Sequence, residues 1–142
     1  MRIRLFLIML LVIVYIVISL FPGNSETKDN VVVIVHKSRP KLTDNQIRLI
    51  FTGYMTTWPN GGKIRVMINR NDAIKEKFIN NYLNMSVAKF NNLWTKKKIR
   101  DGVPPPREGS SDVISTLVSS SPKYIGFILE SELISSVKVV AR

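Results

Sequence analysis

Hydrophobic and polar positions divide the chain into a uniformly apolar start and a patterned remainder. From Leu5 to Phe21 the run LFLIMLLVIVYIVISLF carries no charge; it follows Arg2 and Arg4 and is broken by Pro22, Gly23, Asn24 and Ser25. A basic start, an apolar stretch and a small-residue exit have the form of a secretory signal. The 17 residues of the run also reach the lower limit for a membrane-spanning helix. Residues 1–25 are therefore expected to be either a cleaved signal peptide or an uncleaved N-terminal helix lying in the membrane. Both readings export residues 26–142 as one domain, because the basic end stays on the cytoplasmic side.

Beyond Ser25 the pattern becomes that of a folded domain. Val31–Val35 (VVVIV) is a continuous β-branched run, which predicts a strand buried on both faces. Thr43 and Gln46 form a capping box that opens a short helix, with Ile47, Ile50 and Phe51 on one face and Gly53 as the stop. Trp58-Pro59-Asn60-Gly61-Gly62 is a turn, and Ile64–Ile68 reads as an inner strand. Asn71 or Asp72 caps the next helix, whose stripe is Ile74, Phe78, Ile79, Tyr82 and Leu83. Ser86 caps another, with Val87, Phe90, Leu93 and Trp94 at helical spacing.

Asp101–Gly109 holds Pro104, Pro105 and Pro106 and is expected to cross the domain as a stiff extended segment. Ser111 or Asp112 then opens a helix with Val113, Ile114, Leu117 and Val118 facing inward, and Tyr124–Ile128 and Val137–Val140 are the last strands. The order β, α, β, α, α, α, β, β predicts an α/β fold with a mostly parallel sheet flanked by helices.

Composition narrows the chemistry. Apolar residues make up 45% and charged residues 22%, which fits neither a disordered polar chain nor a polytopic membrane protein. The absence of cysteine excludes a disulfide framework, a lipoprotein anchor, a thiolate metal site and a cysteine nucleophile. A single histidine, His36, leaves little for a metal cluster or proton relay. No Walker loop or GxGxxG occurs, and no spacing pairs two carboxylates or partners a serine with a base. The expectation is a protein that is not an enzyme, with no cofactor and no metal. The net charge of +11 favours acidic partners; export argues against nucleic acid as one of them.

The site candidates lie where strands or crossings give way to helices. At Ile68-Asn69-Arg70-Asn71-Asp72-Ala73 the free amides and positive dipole end of a helix face outward. Arg70 adds a fork of donors suited to tetrahedral oxyanions, and Asp72 is placed to cap the helix or to orient the guanidinium. Glu108-Gly109-Ser110-Ser111-Asp112 is a second place of this kind, with the hydroxyls of Ser110 and Ser111 before a helix. Ligands of open α/β sheets bind at such strand ends.

Leu42–Asn69 (LTDNQIRLIFTGYMTTWPNGGKIRVMIN) resembles a segment of the phosphate-binding periplasmic proteins of ABC importers, with its Ile-Phe-x-Gly and Trp-x-Asn-Gly motifs. Pro104–Arg107 and Ser121-Pro122-Lys123-Tyr124-Ile125-Gly126-Phe127 resemble that family's Pro-Pro stretch and Pro-x-x-Ile-Gly-Tyr strand. Val31–Arg142 as a whole is similar to its short, single-lobe members. The resemblance implies a type II periplasmic-binding-protein-like single lobe that recognises phosphate or a related oxyanion in the periplasm.

The same resemblance places Arg70 and Asp72 on the arginine and aspartate of an Arg-Ser-Asp-Gly-Ser-Gly-Thr binding loop, with Asn71 for its serine. Ala73-Ile74-Lys75-Glu76 replaces the remaining Gly-Ser-Gly-Thr, so close-approach glycines and hydroxyls are missing. Lys75 could supply charge in their place. The implied partner is an ABC importer permease or another membrane protein. The alternative is a binding fold without its ligand, serving as an interaction or sensing module at the membrane.

Overall fold

A computed structural model describes residues 29–142 and, apart from them, residue 3. The expected signal or anchor, Ile3 aside, lies outside the described residues. Among the described residues no helix is long and apolar enough to cross a membrane.

The elements follow in the order β1 (Val31–His36), α1 (Asp44–Phe51), β2 (Arg65–Asn69), α2 (Asp72–Leu83), α3 (Val87–Asp101), β3 (Arg107–Gly109), α4 (Ser111–Ser120), β4 (Tyr124–Leu129) and β5 (Val137–Ala141), with a 3₁₀ turn at Glu130–Glu132. One five-stranded sheet forms among the described residues, ordered β3-β2-β4-β1-β5. β2 pairs in parallel with β3 and β4, whereas β1 runs antiparallel to both β4 and β5. The sheet is thus mixed, which corrects the expectation of a mostly parallel one. The apolar run of β1 does not encode direction, because any strand with helices on both sides is buried on both faces.

A second correction concerns the proline crossing. Its last residues form β3, in parallel register with β2 at Met67↔Arg107, Ile68↔Glu108 and Asn69↔Gly109. Three residues after a proline run carry no strand periodicity, so only pairing with β2 reveals the strand. An edge position suits the segment, since prolines before it cannot donate to a ladder.

The alternation of β1 feeds two cores. Val31, Val33 and Val35 face a larger cluster built from α1, α2 and α3, with Phe51, Phe78 and Trp94 in it. Val32 and Ile34 face a smaller one against Ile114 and Val118 of α4. Phe78 stacks on Phe127 with ring centroids 3.9 Å apart and planes within 7°. Burying each such Phe, Ile or Leu side chain contributes about 1.5–3 kcal/mol. Gly126 lets α4 approach the sheet: a Cβ there would collide with Ile114 Cγ2. Trp58, at the start of the predicted turn, is 2% exposed and belongs to the larger core.

Candidate functional site

The three parallel neighbours β3, β2 and β4 end at one rim of the sheet, and two helices begin there. Asn71 is the N-cap of α2; its side-chain oxygen accepts from the N–H groups of Ala73 (3.0 Å) and Ile74 (3.2 Å). Between Asn71 and Asp72, it is therefore the asparagine that caps. α4 opens at Ser111, the first of the two residues expected to open it, and Ser110 caps it by accepting from Val113 N–H at 3.4 Å. Between the two caps lies a hollow of about 370 Å³ whose wall includes Arg70, Asn71, Ser110, Ser111 and Asp112.

Four of the five expected site residues, Arg70, Asn71, Ser110 and Ser111, are therefore brought together. Asp72 stands apart: its side chain is 99% exposed and its carboxylate lies 3.7 Å from Lys75 Nζ. Arg70 is exposed and, among the described residues, has no carboxylate within ion-pair distance. Lys75 is committed elsewhere, donating to Glu108 Oε1 at 2.6 Å and tying α2 to β3.

The floor is a polar relay that the sequence did not disclose. Asn69 is 1% exposed at the end of β2. Its oxygen accepts from Asn71 N–H at 3.0 Å, and its amide nitrogen donates to Ser111 Oγ at 2.9 Å. Ser111 Oγ donates in turn to Glu132 Oε2 at 2.5 Å, and that oxygen also accepts from Leu129 N–H at 3.2 Å. Glu132 sits on the 3₁₀ turn after β4, 62 positions along the chain from Arg70. Only the short exit from β4 carries it into the wall, and no local motif marks it. Asn69 could have been suspected as a polar residue closing an apolar strand.

The electrostatics are divided. Among the described residues the hollow is lined by one guanidinium, Arg70, and two carboxylates, Asp112 and Glu132. The caps use several first-turn amides and leave those of Asp72, Ser111 and Asp112 without an internal acceptor among the described residues. Such amides and two dipole ends attract an anion, while Glu132 offers only acceptor oxygens. The described residues contain no group of three or more His, Asp or Glu that could hold a metal ion.

Two solved structures share this arrangement of elements. One is an ABC-type phosphate transport receptor from Vibrio cholerae, 20% identical, with a TM-score of 0.59 over 79% of this chain and 45% of that one. The other is a phosphate ABC transporter substrate-binding protein with bound phosphate from Clostridium perfringens, 24% identical, with a TM-score of 0.59 over 79% of this chain and 44% of that one. The fold resembles one lobe of a periplasmic binding protein. This chain spans less than half the length of either neighbour. No protein-family model matches it, and no curated protein matches it.

Proposed function

We propose that residues 26–142 form an exported solute-binding domain that recognises orthophosphate or a related oxyanion reversibly and serves an ABC-type importer. The observation that carries this reading is the exposed Arg70 guanidinium, without an ion-pair partner among the described residues, at a hollow on which the N-termini of α2 and α4 both open. Arg70 would take two anion oxygens through its fork of donors. The amides of Ser111 and Asp112 and the Ser110 hydroxyl would take the others. Asn71 holds α2 in place, and Asp72 contributes only charge at a distance. The likeness to proteins described as phosphate receptors supports the ligand class. It equally supports a periplasmic location and a permease partner. Tethering to the inner membrane follows only if residues 1–25 stay attached.

Isothermal titration of the full chain with sodium phosphate at fixed ionic strength tests the reading. Saturable heat is expected from the wild type and none from Arg70→Ala. No heat and no thermal shift at millimolar phosphate would defeat it.

A second reading has its own observation. Among the described residues two carboxylates outnumber the one guanidinium lining the hollow, and Ala73–Glu76 stands where glycines and hydroxyls would approach an anion. On that reading the lobe has lost its ligand and acts as an interaction or sensing module at the membrane. A protein partner that co-purifies in stoichiometric amount, with or without phosphate, would favour it.

A further inference from the structure

Helix α3 buries one side and leaves the other to solvent. Its inward stripe, Phe90 and Trp94, belongs to the larger core. At about 3.6 residues per turn, Lys89, Asn92, Lys96, Ile99 and Arg100 fall together on the opposite side, and all five are exposed. Ile99, at 80%, is the most exposed large apolar side chain among the described residues. It stands beside Lys96 and Arg100 on that face. On the flank, Lys97 Nζ lies 3.9 Å from the centre of the Tyr54 ring, and Tyr54 is itself 69% exposed.

The helix carries five cations, Lys89, Lys96, Lys97, Lys98 and Arg100, against one carboxylate, Asp101. Asp101 pairs with Arg100 at 3.2 Å, and the four lysines have no carboxylate within 4.0 Å among the described residues. Helix stability does not ask for this distribution. Cations are favourable in the last turn, at the negative end of the dipole, and Lys98 and Arg100 are so placed. Lys89 lies in the first turn, where a cation opposes the dipole, and Lys96 precedes the last turn. An isoleucine held in water beside these charges adds nothing to the core.

We propose that this face of α3 docks on an anionic bilayer surface. Lys89, Lys96 and Arg100 would lie among the lipid headgroups, and Ile99 would enter the boundary between headgroups and acyl chains. A cationic helix face that also presents a bulky apolar side chain matches such an interface in both charge and polarity. Each basic residue near an anionic surface strengthens binding roughly fivefold. Tyr54 on the flank adds an amphipathic ring of the kind that settles at headgroup level. A convex helix face suits a yielding plane and encloses no small solute, and Ile99 sets it apart from a merely basic patch for a soluble polyanion. The proposal goes beyond solute recognition and does not rest on it.

The chain has no cysteine, so Asn92→Cys in the full chain can carry a single nitrobenzoxadiazole fluorophore on the proposed face. Thr116→Cys, exposed on α4 across the sheet, carries the same label for comparison. Each labelled chain is titrated with vesicles of phosphatidylcholine, either pure or with one lipid in three replaced by phosphatidylglycerol. Insertion of the Leu5–Phe21 run would bring the domain to both kinds of vesicle, so the difference between them reads lipid charge. Emission at position 92 is expected to rise and shift to the blue at a lipid concentration at least tenfold lower on the anionic vesicles. Emission at position 116 should not change. Lys89→Gln, Lys96→Gln and Arg100→Gln together should raise the lipid concentration required at least tenfold, and Ile99→Ser, which keeps every charge, should raise it several-fold. No response, an equal response to both vesicles, an equal response at positions 92 and 116, or an unchanged response in the triple variant would each overturn the proposal. A response at position 92 to duplex DNA or polyglutamate and not to vesicles would overturn it as well, and would assign the face to a soluble polyanion.

Discussion

At the wall of the hollow, Glu132 accepts hydrogen bonds from Ser111 Oγ and Leu129 N–H, so an anion entering beside it meets an acceptor. An oxyanion that carries a proton can donate to that carboxylate, as phosphate does near neutral pH, whereas sulfate has none to give. Phosphate should therefore bind more tightly than sulfate. Glu132→Gln, which removes the charge and adds a donor, should improve sulfate binding by about tenfold, roughly 1.4 kcal/mol; competition titration of the two anions checks this. A different residue-scale feature holds the opposite end together. Arg39 donates from Nε to the Pro122 carbonyl at 2.6 Å and from Nη1 to Asn60 Oδ1 at 2.8 Å, with its guanidinium 4.7 Å from the centre of the Trp58 ring. Arg39→Ala should cost about 1–3 kcal/mol in urea unfolding. Arg39→Lys should recover little of that, because an ammonium cannot reproduce the planar fork.

Among the elements, α2 carries both a site cap and a link to the core, and the link is sensitive to alkali. Tyr82 donates its hydroxyl proton to the Val31 carbonyl at 3.0 Å, joining α2 to β1. Burial, helped by the negative charges of Asp44 and Glu130, raises its pKa. A raised folded pKa means that the native state keeps this proton longer than the unfolded chain. The stability it brings is complete below the unfolded value of about 10 and is lost as pH rises through the folded one. Wild-type stability should fall more steeply above pH 10 than that of Tyr82→Phe, as measured by urea midpoints across that range. The same helix shows what the sequence could and could not disclose. Its apolar stripe and polar cap are local patterns, and both were legible. Ser86 and the Thr43–Gln46 box were legible for the same reason. Strand direction, the β3 edge strand and Glu132 depend on residues far apart in the chain, so no local period could reveal them. At the site, Arg70, Asn71, Ser110 and Ser111 were legible because helix starts announce themselves; the relay through Asn69 required the sheet to be assembled.

For the molecule as a whole, charge and topology pull against each other. β1 and β4 are shared by both cores, so loss of either helical layer exposes the central strands, and a single cooperative transition is expected. Against this cohesion stands a net charge of +11. The four ion pairs among the described residues each have at least one exposed partner, which limits what they contribute. Self-repulsion of this kind is screened by salt. Raising sodium chloride from about 20 to about 500 mM, where the Debye length shrinks several-fold, should increase Tm by roughly 3–5 °C, equivalent to about 1 kcal/mol for a domain of this size. Phosphate salts would stabilise the chain through the same screening and also through exclusion from its surface, so a thermal shift in phosphate alone does not establish a site. Arg70→Ala separates the contributions. It lowers the net charge by only one, so chloride should stabilise wild type and variant almost equally. The additional rise in phosphate at matched ionic strength should belong to the wild type alone. If both proteins gain equally from phosphate, the stabilisation is a property of the surface, and the hollow at the end of β2 binds no anion.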